Sequence, residues 1–303
     1  MHPLFDKITN QIIELLEQGV VPWRITWRLK GCYPPTNYVT KKPYRGINVF
    51  LIHLELLKRK VQYSSKYFLT KKQAESLKGC KVREGEEGFP LMLIKYYKRA
   101  PEESADPMDN VLMRQFVVFN IEQCEGIKGQ DPIPMQAFNP IMAAQQIIAD
   151  MPNPPVLFHG NYSPCYTPPN DTVKLPRHEL FESPEDYYDT AFHELLHSTG
   201  HESRLGRPSV TKANHFASED YSKEELVAEI GAAFLCAMTG IERATIKNNA
   251  AYIQSWLENL KNDKTLIFHA SAQAQKGVDY IKGGPDILSE DDHYERTQRA
   301  TWR

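Results

Sequence analysis

Residues 191–201 read AFHELLHSTGH, and no other stretch constrains this chain as strongly. His193 and His197 are four apart, so on a helix they lie one turn apart on one face, where two imidazoles can share a cation. Glu194 sits beside them, placed to take a proton from water held at that cation. The flanking residues predict the helix independently. Ser183 suits an N-cap, Pro184 the first helical position, Glu185 and Asp186 the positive end of the dipole, and Gly200 a C-terminal stop. An H-E-x-x-H arises by chance only about 0.03 times in a chain of this His and Glu content. That makes a metal site a better reading than two solvated histidines on an ordinary helix.

A hydrolytic site of this kind takes three protein ligands and leaves one position open. His201 is near, but Gly200 should break the helix before it. The longer spacing H-E-x-x-H-x-x-G-x-x-H holds through Gly200 and then places Ser203 where a third His belongs. The stretch EELVAEIGAAF offers Glu225 and Glu229, four apart on a helix expected at 223–238, with Ala228, Gly231 and Ala232 small enough for close approach. Either carboxylate can be the ligand while the other orients a histidine. Ser222-x-x-Glu225 also reads as a capping box, which involves no metal. Two imidazoles and one carboxylate suit one divalent ion, zinc by default, and differ from the carboxylate-rich sets of metal-dependent nucleases.

The length of 303 residues suggests two domains, each burying its own core. No run of 18 apolar residues is present, so no membrane span is expected. The opening MHPLFDKITNQIIELLEQG lacks the long apolar core of a signal peptide. Five scattered cysteines without a C-x-x-C pair suit reduced thiols, hence a cytoplasmic setting. The net charge of −2 conceals an asymmetry. Trp23 to Arg83 carries 15 Lys or Arg against Glu55 and Glu75, a local +13, which leaves −15 on the rest. Such an imbalance predicts a polyanionic partner for one end of the chain.

Nine aromatics interleave with those basic residues. Cations track phosphates and flat rings stack on exposed bases, a combination that favours single-stranded nucleic acid with little sequence preference. The candidate contacts are Trp23, Arg24, Trp27, Arg28, Tyr38, Lys41, Lys42, Tyr44, Arg45, Lys66, Tyr67, Lys71 and Lys72, while Phe50 and Phe68 read as core. Apolar spacing predicts helices at 4–18, 48–60, 70–78, 140–151, 184–199, 245–261 and 270–281. Strands are expected at 91–98, 111–120 and about 171–175. Nine prolines in 126–170 mark a boundary. The expected organisation is α+β: a small basic α+β domain at 1–125, a Pro-rich linker at 126–138, and a mainly helical domain with a short sheet at 139–303.

HELLHSTGH, the SRL after it and YSKEELVAEIGAAF resemble the zincin-like metallopeptidase domain of the ArdC antirestriction family. VPWRITW, PPTNYVTKKPYRGIN, YFLTKKQAESLKG and VREGEEG resemble that family's N-terminal single-stranded-DNA-binding domain, which TraC-type conjugative primases share. Nothing here reads as a primase catalytic domain, which favours the ArdC side. The resemblance implies Glu225 as third ligand, through E-x-x-A-[DE], and Glu229 as its neighbour in the second shell of contacts. It implies a peptide cleft lined by CYTPPNDTVKLP and a proton shuttle at Glu194. It further implies protection of incoming plasmid DNA during conjugation, with a protein substrate in the recipient's restriction system. His215 and Tyr221 are candidate oxyanion donors. The competing class is a DNA-shielding module whose metal is structural or regulatory.

Overall fold

The computed structural model describes residues 3–24, 34–96, 111–127, 140–211, 219–241 and 250–284. In chain order, helix α1 (Pro3–Glu17) comes first, then strand β1 (Thr36–Asn37), helix α2 (Ile47–Arg59), strand β2 (Tyr67–Thr70) and helix α3 (Lys71–Ser76). Strands β3 (Lys81–Val82), β4 (Phe89–Tyr96), β5 (Val111–Asn120) and β6 (Cys124–Glu125) follow. Next are helix α4 (Pro140–Ala149) and strands β7 (Val156–Gly160), β8 (Cys165–Thr167) and β9 (Thr172–Pro176). Helices α5 (Pro184–Ser198), α6 (Pro208–Thr211), α7 (Glu219–Thr239), α8 (Ala250–Asn262) and α9 (Leu266–Ile281) complete the series.

These elements form two bodies. In the body of residues 34–127 a sheet runs β1-β2-β5-β4, antiparallel except where β1 pairs with β2. Phe68, Phe89 and Leu91 are fully buried on it, with Phe50 of α2, and the Phe68 and Phe89 rings meet edge to face at 5.3 Å. The buried Asn48 side chain of α2 pairs with the backbone of Met92, donating to its carbonyl at 2.7 Å and accepting from its N–H at 2.8 Å. Helix and strand are thereby held in one register. Thr70 caps α3 in a reciprocal box with Gln73.

The second body combines residues 3–24 with 140–284. The apolar stripe of α1 (Phe5, Ile8, Ile12, Leu16) is buried here, with Phe5 against Phe268 at 4.6 Å and Thr9 Oγ1 donating to the Lys264 carbonyl at 2.6 Å. Trp23 is completely buried and meets Trp256 edge to face at 5.2 Å. The expected first domain of 1–125 therefore loses its opening helix to the other body, because the partners that cover that stripe lie on α8 and α9. A small sheet β7-β9-β8 completes the body, with β7 parallel and β8 antiparallel to β9. Among the described residues no helix is long and apolar enough to cross a membrane.

Candidate metal centre

Helix α5 forms as its sequence predicts. Ser183 Oγ accepts from the Asp186 N–H at 3.1 Å, and Pro184 occupies the first turn, where its missing N–H costs nothing. Helix α7 starts at Glu219, four residues earlier than the expected 223, so Ser222 lies inside it and the capping-box reading of Ser222 and Glu225 falls away. Ser222 Oγ instead bonds Ser255 Oγ at 2.7 Å. The two helices pack closely because Gly231 faces Leu196: a Cβ there would meet the leucine Cδ1 at 2.5 Å. Gly277 of α9 approaches the same leucine in the same way, at 2.6 Å.

This packing brings His193, His197 and Glu225 together. The two Nε2 atoms are 3.1 Å apart, and Glu225 places Oε2 at 3.4 Å from His193 Nε2 and Oε1 at 3.4 Å from His197 Nε2. Ligand bonds of roughly 2.0–2.2 Å in a tetrahedron give ligand-to-ligand edges of about 3.3–3.5 Å. The three residues thus approach each other at distances close to those edges, the carboxylate turning a different oxygen to each imidazole. Each far nitrogen looks toward a further carboxylate, His193 Nδ1 at Glu229 (3.6 Å) and His197 Nδ1 at Glu224 (3.5 Å). With the ring protons directed there, both Nε2 lone pairs face one point, as ligation of a shared cation requires. The donor set fits a divalent cation.

Electrostatics agree with that fit. Burial alone would lower the His197 pKa, yet contacts with Glu224 and Glu225 and the Glu194 charge raise it to about 10. His193 moves up for the same reason, with Glu225 and Glu229 outweighing burial and the neighbouring imidazole. Burial opposes ionisation of Glu224, but His197 and Arg207 hold it at about 2. Glu225 is likewise held far below the usual carboxylate range by the two imidazoles, against its burial. The pocket draws positive charge inward.

The centre opens on a cleft of about 720 Å³. Glu194 lines it beside the histidines, β8 with Pro164, Pro168 and Pro169 forms one wall, and residues 209–211 with Tyr221 form another. His201 reaches the cleft but turns its Nδ1 to Ser203 Oγ at 2.8 Å and stays outside the metal-facing group. Nothing in the sequence singles out Glu224. As the residue before a candidate ligand it reads as an exposed acid, and only its spacing of five from Glu229, straddling Glu225, hints at a role. His215 lies outside the described residues.

In the other body, Tyr38 and Tyr67 meet edge to face at 5.8 Å, and the Lys41 ammonium lies 4.1 Å and 4.6 Å from their ring centres. Lys66 adds a second cation 5.7 Å from Tyr67. Buried Asn37 shapes the turn that presents Lys41, accepting from the backbone of Val39 and Thr40 and donating to Gln73 and the Tyr44 hydroxyl. Lys71 and Lys72 are exposed at the start of α3, and Lys42 and Arg45 are half-buried. Two expected contacts are corrected. Trp23 is core in the metal-bearing body, and Tyr44 is buried with its hydroxyl bonded by Asn37, so neither ring is free to stack on a base. Trp27, Arg28 and the Arg24 side chain lie outside the described residues.

Residues 143–273 match the profile of a zincin-like metallopeptidase family, and residues 3–121 that of the N-terminal domain of anti-restriction factor ArdC. Two DNA primases TraC of Escherichia coli are 33% identical over 300 and 302 residues, 92% of this chain, which spans only 20% and 27% of their lengths. The uncharacterized protein y4eC of Sinorhizobium fredii is 28% identical over 290 residues, 92% of this chain and 91% of its own. Crystal structures of antirestriction protein ArdC from the R388 plasmid, one Mn(II)-bound and one metal-free, both give a TM-score of 0.72. They are 30% and 32% identical and cover 94% and 93% of this chain and 99% and 97% of theirs. Agreement over nearly the full length of both chains, in sequence and in fold, places this chain in the ArdC family of antirestriction proteins.

Proposed function

We propose that this chain binds single-stranded DNA through residues 34–127 and hydrolyses a peptide bond in a protein target at the centre built by α5 and α7. The outcome is protection of incoming conjugative plasmid DNA from restriction in the cytoplasm. The observation that carries the enzymatic half is the convergence of His193, His197 and Glu225 beside Glu194 in an open cleft. These three residues would hold one divalent ion, zinc by the donor set, although the related R388 protein is described with Mn(II). When bound, the cation supplies Lewis acidity toward a peptide carbonyl and acidifies water. Glu194 takes the proton from the attacking water and returns it to the leaving amine, so hydroxyl ends on carbon and hydrogen on nitrogen. Glu224 and Glu229 hold the imidazoles in orientation from their far nitrogens.

The DNA-binding half rests on the Tyr38–Lys41–Tyr67–Lys66 group within the +13 segment. A DNA-shielding protein with a structural metal is the rival reading. The metal-free R388 structure has the same likeness to this chain as the Mn(II)-bound one, which speaks against a metal needed for folding in the family. Glu194→Ala decides between them. It should keep metal content and DNA affinity while lowering proteolysis by at least about 100-fold, and antirestriction should disappear with it. Antirestriction at wild-type level in that variant would sink the peptidase reading.

A further inference from the structure

The SRLGR sequence after α5 carries two arginines that no step above uses. Arg204 has a side chain with no exposure at all. Its two terminal nitrogens grip Asp171 at 2.8 Å and 2.7 Å, while Nε donates to the Asn153 carbonyl at 2.9 Å and Nη1 also to the Ser198 carbonyl at 3.0 Å. Asp171 Oδ1 in turn accepts the Tyr166 hydroxyl at 2.9 Å. Tyr166 belongs to β8, the edge strand that walls the cleft. Asp171 itself holds a left-handed backbone (φ 47°), a conformation that a non-glycine keeps when its surroundings enforce it.

Arg207, three residues on, is also buried and engages different partners. Its Nε donates to Glu224 Oε2 at 3.1 Å and its Nη2 to Oε1 at 2.5 Å. The same Nη2 reaches the Leu196 carbonyl, and Nη1 reaches Thr199 Oγ1, both at 2.7 Å. Ser209 Oγ closes on Glu224 Oε2 at 2.5 Å. Both oxygens of Glu224 are thereby fixed, and the one facing His197 has its direction set by a planar fork that a lysine cannot reproduce.

On the footing of the metallopeptidase reading, we propose that the two arginines are positioning residues with separate duties: Arg204 sets the edge strand along which a peptide lies, and Arg207 sets the His197 ring that faces the cation. The duties separate at the carboxylates, although both guanidiniums also hold the end of α5, Arg204 at the Ser198 carbonyl and Arg207 at the Leu196 carbonyl and Thr199 Oγ1. Arg204 acts on β8 through Asp171 and Tyr166, and Arg207 acts on α7 through Glu224. A pair of plain folding struts would instead move every property together. If Arg207 acted by charge alone, Arg207→Lys, which keeps the positive charge, would leave cation binding unchanged. Positioning predicts a loss.

The test uses the full chain, stripped and titrated with Co(II), whose visible spectrum reports affinity and geometry. Two chelators are then added, acetohydroxamate and Pro-Leu-Gly hydroxamate, which differ only in the peptide part. Arg207→Lys should lose about 10- to 100-fold in cobalt affinity, the range for contacts behind a metal ligand, with an altered spectrum and an unchanged ratio between the chelators. Ser209→Ala, which leaves the guanidinium in place, should shift affinity the same way by less. Arg204→Lys and the milder Tyr166→Phe should keep cobalt affinity within about twofold and bind acetohydroxamate normally, yet lose several-fold toward the peptide hydroxamate. Equal losses of both properties in both sets, or cobalt binding in Arg207→Lys that is unchanged or tighter, overturn the division of duties. If the wild-type chain binds no cobalt, or shows no preference for the peptide hydroxamate, the metallopeptidase reading itself fails and takes this inference with it.

Discussion

Replacing Trp23 by alanine separates two opposed accounts of the Trp-rich segment. The indole has no solvent exposure and packs edge to face on Trp256 in the metal-bearing body. Truncating a fully buried Trp costs about 3–5 kcal/mol, from lost transfer energy and the cavity left behind. For a body of this size each kcal/mol moves the melting midpoint by roughly 2–4 °C, so Trp23→Ala should lower it by roughly 6–20 °C. The assay is calorimetry on the full chain, joined to fluorescence anisotropy with labelled single-stranded DNA at a temperature where both bodies remain folded. DNA affinity should stay within about twofold, because the residue belongs to the other body. A base-stacking tryptophan behaves in reverse. It would cost about 1–3 kcal/mol of DNA binding, a 5- to 150-fold weakening, with little change in melting. That second pattern would refute the assignment of α1 and Trp23 to the metal-bearing body.

Tyr38→Ala with Tyr67→Ala should weaken single-stranded DNA binding by about 1–3 kcal/mol per ring engaged, and Lys41→Gln should flatten its salt dependence by about one phosphate contact; anisotropy across a salt series reads both. Gly231→Val should destabilise the metal-bearing body by about 1–3 kcal/mol through overpacking against Leu196, measured by urea unfolding. The Asp171 carboxyl is held below its ordinary value by Arg204 and Tyr166 despite burial. A depressed folded pKa gives stability that is complete above the unfolded value of about 3.9 and lost as pH falls through the folded one. Urea midpoints of the wild-type chain should therefore drop below about pH 4, and the difference from Asp171→Asn should shrink over that interval rather than grow.

Much of the metal site is written in local sequence, since a helix with its cap, first-turn proline and i, i+4 histidines needs no tertiary information. Helix α7 shows the limit of that reasoning. Ser222 and Glu225 have capping-box spacing, but whether a helix starts there depends on the preceding turn, and α7 begins at Glu219. Glu224 acquires its role only from Arg207 and His197, which sit on other segments. The pairing of β7 with β9 is parallel and of β8 with β9 antiparallel, and strands of three to five residues carry too little periodicity to be told from loop. Trp23 misleads for a different reason. Counting charges and rings over a window records what stands near in sequence, whereas its partner stands more than 230 positions away.

The bond from Thr9 to the Lys264 carbonyl joins residues 255 positions apart and lies inside one packed body. On a ribosome adding about 5–20 residues each second, helix α1 therefore waits roughly 10–50 s for the helices that cover it. Residues 34–127 are all synthesised long before then, after the first segment of the other body and before the rest of it. The face that carries Tyr38, Lys41 and Tyr67 is thus available on a nascent chain whose His193–His197–Glu225 centre is not yet closed. A chain stalled before about residue 265 would carry the first without a finished version of the second.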